Sequence, residues 1–131
     1  MLRASRPLLT QLIKSTTGIT GLLVHPNPLP SLLQTYQSTL DVLKTLPSHA
    51  AYRQSAETLT QRKLEIVQGA LGGGMKVEEM LGEGQIEQSL DIAEDELALA
   101  GNMLEWKPWE PLVEKPMLDQ WEYFGQRPGQ Q

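Results

Sequence analysis

Apolar residues recur in alternating steps of four and three near the end of the chain: Ile86, Leu90, Ala93, Leu97, Ala100 and Leu104. That repeat draws one narrow stripe along an α-helix. It fits no strand, whose side chains change face with a period of two. No segment of the 131 residues carries the alternating apolar pattern of a half-buried strand. The expected fold class is therefore all-α, with a core wherever such stripes meet.

Two further stripes precede it. Leu29, Leu32, Leu33, Tyr36, Leu40 and Leu43 share one face at the helical period, and Pro47 ends the run. Pro30 suits the first turn, where a missing N–H costs nothing. Seventeen residues at 1.5 Å each make a rod of about 25 Å. A second helix follows, with Ser48 as its expected N-cap and Tyr52, Ala56, Leu59, Lys63 and Ile66/Val67 as its inner stripe. Lys63 interrupts that stripe and is expected to snorkel outward. The glycines from Gly69 to Gly74 stop the helix. Lys76 to Leu81 then reads as a short acidic turn, and Gly82-Glu-Gly84 is a further break. Isolated helices of this length are marginal in water, so the three must pack together. The expected organisation is an extended N-terminal arm (1–28), a three-helix bundle (29–105) and a Pro/Trp-rich extended C-terminal tail (106–131).

The arm and the bundle differ in charge. Residues 1–63 hold seven basic and two acidic groups, a net of +5; residues 64–131 hold four and fourteen, a net of −10. Arg3, Arg6 and Lys14 lie in a Ser/Thr- and Leu-containing start with no acid before Asp41. An import signal has that composition, and so does a short basic tail. From Val77 to Glu105 there are nine acids and no base. The overall charge of −5 argues against duplex nucleic acid as the main partner.

The tail is of another kind. Five of the seven aromatic residues follow position 105: Trp106, Trp109, Trp121, Tyr123 and Phe124. Four prolines accompany them and prevent a long helix: Pro108, Pro111, Pro116 and Pro128. Burying one Trp removes roughly 150–250 Å² from water, worth up to ~4–6 kcal/mol. Three left exposed would invite aggregation. They are expected to cover themselves on the bundle or in another protein, and different Trp residues can take each role.

The sequence holds little chemistry. With no cysteine, disulfides, thiolate metal sites and a cysteine nucleophile are excluded. Gly69 and Gly74 are spaced as in a phosphate-binding loop, but Met75 stands where its Lys belongs, so a helix terminator is the better reading. His25 and His49 have no neighbour at ligand spacing and are expected at the surface. No apolar run reaches the ~18 residues that a membrane span requires. No cofactor, metal, nucleic-acid or small-molecule substrate site is expected. The residues alone support a structural subunit of a larger complex. They also support a free-standing helical adaptor or chaperone that binds basic partners through the acidic third helix. A carboxylate enzyme using a divalent metal is a third option.

Three segments carry a resemblance. They are Lys14-Ser-Thr-Thr-Gly18-Ile-Thr-Gly21-Leu22; Leu40-Asp-Val-Leu43, Pro47 and Ala50-Ala-Tyr-Arg53; and Glu105-Trp-Lys-Pro-Trp-Glu-Pro-Leu-Val-Glu114 with Asp119-Gln-Trp121. In this order and spacing the chain resembles the family of accessory subunit 5 of the alpha subcomplex of mitochondrial NADH:ubiquinone oxidoreductase, respiratory complex I. The tail run is the most specific part, and Gly82 to Glu87 is also similar to the family's entry into its last helix. The resemblance covers roughly residues 14–121. It implies a three-helix bundle with an extended tail, and an accessory subunit without flavin, iron–sulfur cluster, quinone or catalytic residue of its own. It implies a position on the matrix side of the mitochondrial inner membrane, on the peripheral arm against the NuoC-type core subunit, with a role in assembly and stability. The residues it marks for partner binding are Trp106, Pro108, Trp109, Pro111, Leu112, Val113 and Trp121. Residues 1–13, the break at 69–74 and the tail after Trp121 depart from the family pattern.

Overall fold

A computed structural model describes residues 14–70, 74–118 and 120. Four helices follow one another: α1 Pro28–Thr45, α2 Ala51–Gly69, α3 Gly74–Leu81 and α4 Ile86–Trp106. The described residues contain no strand. The fold is all-α, with three long helices as expected and one short helix added.

α1 opens with Pro28 and Pro30 in its first turn, where their missing N–H groups have no intrahelical partner to lose. It ends before Pro47, with Leu46 in the extended conformation that a following proline imposes. Leu32, Tyr36, Thr39 and Leu43 form its buried stripe. Thr39 fits there because its hydroxyl donates to the Thr35 carbonyl at 2.8 Å.

α2 departs from expectation in two ways. Ser48 does not cap it. The Ala50 N–H donates to the Pro47 carbonyl at 3.1 Å, a turn that takes in Ser48 and moves the N-cap to Ala50. Ser48 instead offers its carbonyl to the Gln54 side chain at 3.0 Å. The buried stripe is Ala56, Thr60 and Val67, rotated from the one expected, and Leu59 lies 54 % exposed. Lys63 does not snorkel into solvent; it forms a largely covered ion pair with Glu83. The rotation follows from α2 having one long neighbour. It packs along α1 and not along α4, so a two-sided seam is not required of it.

The segment expected to be an acidic turn is α3. Val77 is fully buried among Leu32, Tyr36, Val67 and Ile86, with Leu81 partly buried one turn on. This i, i+4 apolar pair holds two turns of helix that the flanking glycines hide in the sequence. Gly82, at φ +68°, terminates it in the left-handed conformation, and its N–H reaches the Glu78 carbonyl at 3.0 Å. Glu78 in turn accepts the Ile86 N–H at 2.8 Å and so caps α4 from outside. Gln85 and Gln88 add a reciprocal capping box.

α1 is the central helix: α2 and α4 both pack on it. Its N-terminal half, the end of α2, α3 and the start of α4 enclose Leu32, Tyr36, Val67, Val77, Ile86, Leu90 and Ala93. At the other end Leu43, Leu46, Ala56 and Ala100 form a second cluster, flanked by Val42, Tyr52, Met103 and Trp109. α1 and α4 therefore run parallel, with α2 antiparallel to both. In α4 the expected seam holds at Ile86, Leu90, Ala93 and Ala100, while Leu104 at its end is partly open to solvent.

Candidate docking surface

The tail leaves α4 through a strained residue. Lys107 takes φ 46° and ψ 57°, the left-handed conformation that costs a non-glycine residue roughly 1–2 kcal/mol. Its N–H closes the helix on the Met103 carbonyl at 3.1 Å, and its carbonyl accepts the Glu110 N–H at 3.0 Å. The resulting turn folds Trp109 back onto the buried cluster of Leu43, Leu46, Ala56 and Ala100. Trp106, three residues earlier, faces outward and is 62 % exposed. The two tryptophans that sequence reasoning grouped together thus take different roles.

Of the other expected docking residues, Pro108 and Pro111 are exposed, Leu112 is 73 % exposed, and Val113 is fully exposed. Trp121 lies outside the described residues. Met117 and Leu118, which the sequence reading did not single out, are also exposed. Trp106, Leu112, Val113, Met117 and Leu118 make the tail an apolar segment in water, unlike the singly scattered apolar residues of an ordinary surface. Lys107 and Glu110 flank its start, 3.8 Å apart and both open to solvent, an ion pair of little energetic weight.

The carboxylates of α4 are not one solvated face. Asp91, Glu94 and Asp95 are exposed. Glu96 accepts the Tyr52 hydroxyl at 2.6 Å. Burial, with that hydrogen bond and the carboxylate charge, raises the Tyr52 hydroxyl well above the usual tyrosine range. Glu87, expected on the acidic outer face, is only 4 % exposed. Burial alone would raise its pKa. The Lys14 ammonium at 3.0 Å and the backbone N–H groups of Glu87 and His25 outweigh that and hold the carboxyl below the usual range. Among the described residues no group of His, Asp and Glu is arranged to hold a metal ion. Between α2 and α4 a slot of about 40 Å³ is lined by residues including Tyr36, Leu59, Ile92 and Glu96, too small for an organic ligand. No helix among the described residues is long and apolar enough to cross a membrane. What the described tail offers is exposed apolar surface.

Comparison with known proteins places the geometry. The family model described as ETC complex I subunit conserved region matches residues 21–88. The chain is 47 % identical over 112 residues to NADH dehydrogenase (ubiquinone) 1 alpha subcomplex subunit 5 of Mus musculus, covering 86 % of this chain and 96 % of that protein. The protein of that name from Bos taurus is also 47 % identical over 112 residues, with the same coverage. A probable mitochondrial subunit 5 of Arabidopsis thaliana is 41 % identical over 104 residues, covering 79 % of this chain and 60 % of that protein.

Proposed function

This chain belongs to the family of NADH dehydrogenase (ubiquinone) 1 alpha subcomplex subunit 5, and we propose that it supports assembly and stability of the matrix-facing peripheral arm of mitochondrial complex I. It is an accessory subunit of that complex and not one of its catalytic subunits. Its partners are other complex I subunits, chiefly the NuoC-type core subunit. Its place is the matrix side of the inner membrane, held there by protein contacts. The chain divides its labour between the arm of residues 1–28, the helical body of 29–105 and the docking tail of 106–131.

The observation that carries this reading is the split of the Trp106–Val113 segment. Trp109 is pinned to the bundle, and Trp106, Leu112 and Val113 are presented beside it. A pinned tail has already lost much of the conformational freedom that docking would otherwise cost. Aromatic residues presented in this way are the usual anchors of a protein–protein contact. Pro108 and Pro111 stiffen the segment between them.

The test is a native gel of mildly solubilised mitochondria that express the chain with a C-terminal tag, with one lane stained for NADH dehydrogenase activity. Co-migration of tag and megadalton activity is the expected result. A tag running as a small free species would overturn the docking reading and favour an adaptor that works through Asp91, Glu94 and Asp95.

A further inference from the structure

We propose that Lys14 belongs to the folded unit and that the mature chain retains it, so that any cleavage of the basic start falls on its N-terminal side. By composition Lys14 belongs with Arg3 and Arg6 in a basic, acid-poor start. By contact it belongs to α4.

The Lys14 ammonium lies 3.0 Å from Oε2 of Glu87, in the first turn of α4, and also donates to the Gln85 side chain. The Gln85 side-chain amide donates in return to the Thr17 carbonyl at 2.7 Å. Thr17 is itself buried, and its hydroxyl closes a loop on the Leu22 carbonyl at 2.7 Å. Gly18 and Gly21, both at positive φ, let the chain turn inside that loop. Residues 14–22 thus form a strap fastened to the start of α4 through Lys14 and Thr17.

The energetics set the boundary. Glu87 has almost no access to water, and its side-chain cation partner is Lys14, 73 positions earlier. Lys14 itself is partly open to water, but removing it leaves the buried Glu87 carboxylate without its cation, which costs more than losing a pair exposed on both sides. A cut beyond Thr17 would also remove the carbonyl that holds the side chain of Gln85, the N-cap residue of α4. Lys14 therefore serves the fold, whatever its part in the basic start.

The experiment reads the N-terminus of the tagged full chain purified from mitochondria, by intact mass and N-terminal peptide mapping. A mature chain starting at or before Lys14 is expected. A dominant species starting after Lys14 would overturn the proposal. The reading does not depend on which assembly the chain joins, so it stands apart from the native-gel test of docking. Thermal unfolding of the full recombinant chain supplies a second measurement. Lys14→Met should lower Tm by about 5 °C, and Lys14→Arg should lower it less. An unaltered Tm for Lys14→Met would equally overturn the strap.

Discussion

The hydroxyl of Tyr52 donates to Oε1 of Glu96 at 2.6 Å, joining α2 to α4 across 44 positions of sequence. Both helices pack chiefly on α1, and this bond ties them directly to each other. A hydrogen bond to a charged acceptor is worth more than one between neutral groups, and partial exposure reduces it. Tyr52→Phe should cost about 1 kcal/mol in urea unfolding. In a double-mutant cycle with Glu96→Ala, the combined loss should be less than the sum of the two single losses. Additive losses would mean that the tie carries no coupling.

Trp106 and Trp109 should separate stability from docking. Trp109→Ala removes a half-buried ring from the Leu43, Leu46, Ala56 and Ala100 cluster and should lower stability by roughly 2–3 kcal/mol, and incorporation into complex I with it. Trp106→Ala should leave Tm within about 2 °C of wild type and still reduce incorporation. Glu94→Ala should alter neither quantity by much, because an exposed charge contributes about 0–1 kcal/mol. Blue-native gels and thermal unfolding of the same three variants check all of this. Full incorporation of Trp106→Ala would remove the tail-anchor model.

Acid should weaken the chain partly through Glu87. Its carboxyl is held below the usual range in the folded state, so folding favours the ionised form. The stabilisation is fully present above the unfolded carboxylate pKa, about 4.3, and is lost as pH falls through the lower folded value. The difference in stability between wild type and Glu87→Gln should therefore be constant from neutral pH to about pH 5 and shrink below that. Urea unfolding of both chains from pH 7 to pH 3 measures it. A difference that grew on acidification would contradict the sign of the shift.

The rotation of α2 predicts unequal leucines. Leu32 is fully buried, and Leu32→Ala should cost about 2–5 kcal/mol. Leu59, expected from the sequence to be a core residue, is more than half exposed. Leu59→Ala should cost under about 1 kcal/mol. Equal losses on chemical unfolding would restore the stripe that the spacing of Tyr52, Ala56, Leu59 and Lys63 favours.

The helices that were legible in sequence are those whose apolar residues face a core on two sides or end at strong punctuation. α4 was readable because its seam packs on α1 along much of its length and Gly82 to Gly84 precede it. α1 was readable because Pro28, Pro30 and Pro47 bracket it. α3 was missed because eight residues between glycines offer only Val77 and Leu81 as signal. The tail was legible as a composition, tryptophans and prolines together, since no bundle of this size could hide them all.

The sequence by itself determined the class of fold, the length of the long helices and the tail as a distinct segment. These follow from helical periodicity, proline geometry and the cost of exposing indole rings, all local properties. Only the tertiary structure decided which face of α2 turns inward, which Trp is pinned and which is offered, and that Lys14 serves the fold. Each of these depends on bringing together residues distant in sequence, such as Trp109 with the cluster around Leu43 and Lys14 with Glu87. Periodicity and composition carry no record of such pairings.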